Sequence, residues 1–202
     1  MLKYLIDPAN AITTGGLLCS ALSLYLAMAG HLDLAVGAAL WAVLADHLDG
    51  VVAGRTKNRE PNIAKMGKSL DGFGDIIYGA VLPAVIIIQL SQASSLSLAT
   101  GTALLLAGAI RLSYFANFGL SNDGRFLGVP LSYDIPALAL LFLLRPIIPP
   151  GNFVVIVNLS FLLLAALHVA SIRVKAPNGL MYTAIALFSV IASASLVIRA
   201  IG

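Results

Sequence analysis

Long apolar runs broken by short polar links dominate the chain from end to end. A helix needs roughly 20 apolar residues to cross the hydrocarbon core of a bilayer. Seven stretches reach or approach that length: 12–29, 32–53, 67–89, 96–118, 128–144, 153–174 and 180–198. The fifth is the shortest and carries Pro136 inside it. The links at 30–31, 91–95 and 149–152 are only a few residues long, so the helices they join are expected to run antiparallel. The pattern predicts an all-α, polytopic membrane bundle forming one transmembrane domain over 1–202, with no soluble domain and no internal repeat. The first apolar stretch is long and leads directly into a second, which predicts a retained span and not a cleaved signal peptide.

Composition sharpens this picture. Of the 202 residues, 59% are hydrophobic and 10% are charged, against about 25% charged in a typical soluble domain. Such a chain cannot cover a water-facing surface with polar groups. The net charge of +3 comes without a long basic stripe, which argues against a nucleic-acid partner. A single cysteine, Cys19, excludes an internal disulfide. Lys and Arg on short loops report orientation. With the N-terminus inside, Lys3, Arg55, Lys57, Arg59, Lys65, Lys68, Arg125, Arg173 and Lys175 lie on the inner side, and only Arg145 and Arg199 on the outer. Nine against two predicts a cytoplasmic N-terminus and an outer C-terminus.

The acidic residues add the chemistry. Asp46, Asp49, Asp71, Asp75, Asp123 and Asp134 all fall at or near the inner ends of the second to fifth predicted helices. A charge inside a span costs at least ~2.5–3.5 kcal/mol, and neighbouring carboxylates repel one another. Something positive among them would offset both costs. Asp46 and Asp49 are three apart and Asp71 and Asp75 four apart, so each pair shares one helix face. The connection at 54–66 lets the two helices lie antiparallel and brings the pairs together. Oxygen-only ligands suit a hard divalent cation, Mg²⁺ or Mn²⁺. Gly50, Ala53, Gly67, Gly72 and Gly74 flank the acids and leave room for a bulky polar ligand; close helix packing through small residues is the plainer reading of each. His47 points about 100° away from Asp46 around its helix and reads as a packing histidine, as does His168. Trp41 reads as an interface or packing group. Arg111 lies inside the fourth helix, where an arginine usually faces a cavity; the alternative is a structural pair with Asp123 or Asp134. Asn10 and Thr13, read from the residues alone, are an N-terminal capping pair for the first helix.

Asp46, Asp49, Gly50 and Ala53 in DHLDGVVA, followed by Gly67, Asp71 and Asp75 in GKSLDGFGD, resemble the signature of the CDP-alcohol phosphatidyltransferase family. That signature reads D-x2-D-G-x2-A-R, a spacer, then G-x3-D-x3-D. The chain departs from it in carrying Gly54 where the family has arginine, with Arg55 one residue later, and in a longer spacer. Flanking segments resemble the phosphatidylserine synthase branch: NAITTG from Asn10, YGAVLPA from Tyr78, RLSYF from Arg111, FLGVP from Phe126, and SIRVKAP from Ser171. The run from Pro130 through Ser132 and Tyr133 to Asp134 replaces the P-x-P of that branch.

The resemblance implies a six-helix core over about 10–177 with an added C-terminal transmembrane helix at about 180–198. It implies transfer of a phosphatidyl group from CDP-diacylglycerol to a small alcohol, serine being favoured, with release of CMP on the cytoplasmic side. Asp46, Asp49, Asp71 and Asp75 would hold the divalent metal, and Asp75 would also serve as the general base. Asn10, Thr13, Asp49, Gly50, Ala53, Arg55, Gly67 and Asp71 would contact the CDP moiety. Arg111, Arg125, Asp134, Arg173 and Lys175 are candidates for the acceptor or its phosphate, the three basic loop residues having topology or lipid head groups as the plainer reading. A homodimer is implied by the resemblance alone. Rival readings are the same chemistry with glycerol phosphate, inositol phosphate, ethanolamine or choline, a cation transporter, and a scaffold without chemistry. A transporter would place its acids near the midplane, whereas these cluster at one end.

Overall fold

The computed structural model describes residues 1–202. Seven helices form the chain: α1 (Pro8–Met28), α2 (Leu32–Arg55), α3 (Pro61–Leu90), α4 (Ser95–Phe118), α5 (Asp134–Leu144), α6 (Pro150–His168) and α7 (Gly179–Ile201). All but α5 are long and apolar enough to cross a membrane. The helices begin where the local chemistry lets them. The Asp7 carboxylate accepts the Asn10 N–H at 3.1 Å, Ser94 accepts that of Ser97, and Asn178 that of Met181. Pro8, Pro61 and Pro150 stand in first turns, where a missing N–H costs nothing. Gly30 (φ +82°) turns the chain from α1 into α2.

Three predicted boundaries move. The connection between α2 and α3 is short, because α3 already begins at Pro61, six residues before the expected start. Its first turns carry exposed Asn62, Lys65 and Lys68, so they extend the helix past the apolar stretch. Near its middle α3 widens into a π turn at Ile77–Val81. The fifth span does not start at 128: residues 125–127 form a strand, β1 (Arg125–Leu127). The sixth span stops at His168, and residues 173–175 form β2 (Arg173–Lys175), antiparallel to β1 with Arg125 opposite Lys175.

The eleven-residue α5 is extended by 3-10 turns at Leu131–Tyr133 and Arg145–Ile147. That continuous helical run rises by about 28 Å, close to the ~30 Å hydrocarbon core. Side-chain pairs fix both of its ends. Asp134 meets His168 at the end of α6, while Arg145 lies beside the start of α6 and the end of α7. The seven helical runs therefore alternate in direction along the bundle. The core is a single cluster drawn from every helix, including Leu40, Leu82, Ile86, Leu104, Leu138, Phe142, Phe161 and Leu196. Where α3 meets its neighbours only glycine fits: a Cβ on Gly79 would stand 2.6 Å from that of Leu131, and one on Gly108 2.9 Å from that of Ala80.

The seventh helix is not peripheral. It runs antiparallel to α2 along its whole length. Tyr182 meets His47 edge-on at 5.6 Å, Trp41 donates to Ser193 at 3.0 Å, Ser193 donates to the Gly37 carbonyl at 3.2 Å, and Arg199 pairs with Asp33.

Candidate active site

Two adjoining cavities open at the end of the bundle where α2 finishes and α3 starts. The larger has a volume of 670 Å³. Asp46 on α2, Asp71, Asp75 and Tyr78 on α3, and Arg111 on α4 face it at one side. Its other walls are mostly apolar and come largely from α5, α6 and α7, among them Leu140, Leu164, Ile185 and Phe188. The smaller cavity, 220 Å³, is lined by Asn10 and Thr13 of α1, Asp49 and Ala53 of α2, Arg59 of the connection, and Gly67 and Lys68 of α3. Gly50 and Asp71 line both, so the two spaces adjoin there.

The helical spacing of the acids explains this arrangement. Each pair occupies one face of its helix, and the tight antiparallel connection sets the two faces together. Asp46 has Asp75, Asp71 and Asp49 all as electrostatic neighbours. The buried Asp49 accepts a hydrogen bond from the Thr13 hydroxyl, which ties α1 to α2. The π turn directs the buried Tyr78 hydroxyl inward, where it donates to Asp75 Oδ1 at 2.6 Å and lies beside Asp46 as well.

The donor set is made of carboxylate oxygens, the chemistry a hard divalent cation takes. Negative charge is in excess, since Arg111 and Arg59 are the cations near these acids. No three of the side chains converge into a chelating group. The residues thus fit a divalent cation by chemistry and by charge, as donors around a space and not as a closed shell.

Arg111 is 7% exposed, and its guanidinium stands 5.7 Å from the centre of the Phe126 ring. Its Nε has no hydrogen-bond partner. Neither structural partner considered from the sequence holds it: Asp123 is paired with Arg125 and Arg173, and Asp134 with His168. A buried guanidinium facing a cavity with free donors is equipped to take an anionic group.

Several expected site residues lie elsewhere. Arg55 is exposed at the end of α2 and lines neither cavity. Arg59, four residues on, lines the smaller cavity. Arg59 donates to Asn10 Oδ1 at 2.6 Å and to Asp7 at 2.7 and 3.2 Å, while Asn10 Nδ2 donates to the Tyr4 and Ile63 carbonyls. Partial burial alone would raise the Asp7 carboxyl, but Arg59 and the Asn10 N–H outweigh it and hold Asp7 below the usual carboxylate range. A Cβ on Gly67 would strike Asn10 and Arg59, which accounts for the glycine there.

Arg125, Arg173 and Lys175 are exposed on the β1–β2 ribbon and line neither cavity. Arg125 and Arg173 flank Asp123, whose carboxyl is held low chiefly by the Ser121 hydroxyl and further by the two arginines. Asp134 is sealed from the cavity with no exposed surface: both of its oxygens lie 3.0 Å from His168 Nε2. His168 Nδ1 in turn donates to the Val129 carbonyl at 2.8 Å. Since both ring nitrogens face acceptors, the pair must share two protons. His168 is thus a buried, bonded histidine, as expected, and Asp134 is its partner, outside the cavity lining. Residues overlooked by sequence reasoning are Arg59, Lys68, Tyr78, Tyr133 and Tyr182, all of which line the cavities. Of these, only Tyr78 carried a usable signal, standing one helical turn after Asp75.

A sequence profile of the CDP-alcohol phosphatidyltransferase family matches residues 7–201. The chain belongs to this family. The match extends through α7, so the profile takes in the seventh helix along with the first six. Among curated proteins, the archaetidylserine synthase of Methanothermobacter thermautotrophicus is 34% identical over 111 residues, 54% of this chain. That stretch is 46% of the relative, so the aligned part spans about half of its length.

Proposed function

We propose that the chain transfers a phosphatidyl group from CDP-diacylglycerol to the hydroxyl of L-serine at the cytoplasmic face of the membrane, releasing CMP. One observation carries this reading. Asp46, Asp71, Asp75 and an unpaired Arg111 face one side of a cavity whose other walls are mostly apolar. Such a space suits a ligand with a charged diphosphate at one end and a lipid at the other.

In this reading Asp46, Asp49, Asp71 and Asp75 hold a divalent cation, Mg²⁺ or Mn²⁺. When bound, it would neutralise the diphosphate and stabilise the departing phosphate oxygen. Asp75 accepts the proton of the serine hydroxyl as its oxygen attacks the phosphorus bearing the lipid, and the bond from that phosphorus to CMP breaks. Tyr78, donating to one Asp75 oxygen, fixes the carboxylate and leaves its second oxygen for the acceptor. Arg111 holds the serine carboxylate or a phosphate oxygen. Arg59, Lys68 and Asn10 face the nucleotide in the smaller cavity, and Thr13 acts there through Asp49. Serine is favoured because the relative is named for it and because Arg111, Ser132 and Tyr133 offer donors to a carboxylate. The relative is named for an archaetidyl lipid, and apolar walls do not read the lipid's linkage, so the donor panel includes both lipid types.

A cation pathway is disfavoured by the far end of the bundle, where the cavity is lined by Arg145 and Arg199. The test is CMP release by purified protein from CDP-linked lipid with Mg²⁺ or Mn²⁺, offered serine, glycerol phosphate, inositol phosphate, ethanolamine and choline in turn. Serine-dependent release abolished by EDTA is expected. Release with another alcohol but not serine would overturn the acceptor, and no release with any would overturn the chemistry.

A further inference from the structure

The opposite end of the bundle holds a second large cavity, 740 Å³ in volume, that the transfer chemistry does not use. Its polar lining consists of Ser91, Gln92, Arg145, Arg199 and Asp33. Asp33 is already paired with Arg199, which also donates to the Phe142 carbonyl at 2.7 Å. Arg145 has no carboxylate partner. Its guanidinium is held 5.9 and 5.8 Å from the centres of the Phe142 and Phe153 rings, a placement stabilised by the ring faces.

A hydrogen-bond chain makes Ser91 a donor to this space. Asn158 is fully buried. Its Nδ2 donates to the Val154 carbonyl at 2.8 Å, and a carbonyl can only accept, so the orientation of the amide is fixed. Asn158 Oδ1 accordingly accepts from Thr100, and Nδ2 also donates to Ser91 Oγ at 2.9 Å. Ser91 Oγ is thus an acceptor within the protein, and its own proton has no protein acceptor. Ser91 is 8% exposed and borders the cavity, so that proton is available only to a group inside it.

From this we propose that the cavity is a non-catalytic site for the phosphodiester of an anionic membrane phospholipid, bound by Arg145 and Ser91. Two arginines and one aspartate leave a single positive charge, which matches a phosphodiester monoanion better than free phosphate, closer to a dianion at neutral pH. Leu90, Ile148 and Val154 supply an apolar wall for the adjoining glycerol and first methylenes. The site lies at the end of the helices, where a hydrocarbon core of ~30 Å would put lipid head groups.

The test titrates dihexanoyl phosphatidylglycerol into the full chain in detergent and counts bound lipid by native mass spectrometry. Arg145→Gln is expected to weaken the tightest lipid about tenfold or more, the loss of a charge-assisted contact, and Ser91→Ala about threefold or more, with CMP binding at the other end unchanged in both. Ser91→Ala removes one oxygen only and keeps the test decisive should Arg145→Gln not be recovered folded. Equal lipid affinity in wild type and variants would overturn the site. Inorganic phosphate binding as tightly as the lipid, with the same dependence on Arg145, would overturn the lipid as its source.

Discussion

Replacing His168 with leucine isolates the buried pair beneath the cavity wall. His168 and Asp134 have no exposed side-chain surface, and each is the other's polar partner. Removing one member of such a pair leaves an uncompensated buried charge, at a cost of about 3–5 kcal/mol. The Val129 carbonyl also loses its donor, which adds about 1 kcal/mol. For a chain of this size each kcal/mol moves the melting temperature by about 2–4 °C, so the combined loss of about 4–6 kcal/mol in His168→Leu is expected to lower it by roughly 8–24 °C. The double variant His168→Leu/Asp134→Ala removes both polar groups together and leaves only the Val129 carbonyl and a small void. It is expected to recover most of the loss and melt within a few degrees of wild type. The measurement is apparent melting at one scan rate in one detergent. A single variant as stable as wild type, or a double variant no better than the single, would refute the pairing argument. Residues 129–133 line the cavity and are anchored through this pair, so the single variant should also raise the acceptor KM before it lowers kcat.

Asp75→Asn is expected to lower CMP release by about 10²–10⁴ while the protein still inserts and binds CMP; turnover near normal would remove Asp75 as the base. Arg59→Gln is expected to weaken CMP binding about tenfold or more, with Arg55→Gln within about twofold of wild type; the reverse order, read by CMP titration, would restore the role to Arg55. Arg111→Ala is expected to raise the serine KM more than that of the lipid donor, and equal rises would mark it as structural. Asp7 is depressed in the folded protein, so its ionisation stabilises the fold above the ordinary carboxyl value of about 3.9 and ceases to do so as pH falls through the lower folded-state value. The melting gap between wild type and Asp7→Asn should hold from neutral pH down to about 4 and close below it.

The spans were legible because an apolar run of twenty residues has few other uses. Their ends were less so. The stretch beginning Gly128-Val-Pro-Leu is apolar enough to pass for membrane helix, yet Gly128 sits at φ +75° with its N–H on the Ile172 carbonyl, continuing the β1–β2 ribbon. That pairing joins segments some 45 residues apart and leaves no periodic trace. The gathering of the four aspartates could be read from i, i+3 and i, i+4 spacing on adjoining helices. That Arg59 and not Arg55 lines the smaller cavity could not, because it depends on how the connection between α2 and α3 folds back over α1. The pairing of Asp134 was hidden for a similar reason: a lone acid at a helix start gives no hint that its partner lies 34 residues on.

The contact between α2 and α7 has a consequence for biogenesis. Tyr182, Ile185 and Phe188 complete one side of the space that holds the carboxylates, and α7 enters the bilayer after the other six helices. Without it, the space that Asp46, Asp71, Asp75 and Arg111 face would lack that wall. A stop before Tyr182 is therefore expected to leave a bundle whose carboxylate-lined space is open on one side, with CMP release lost; full release by that truncated chain would refute this.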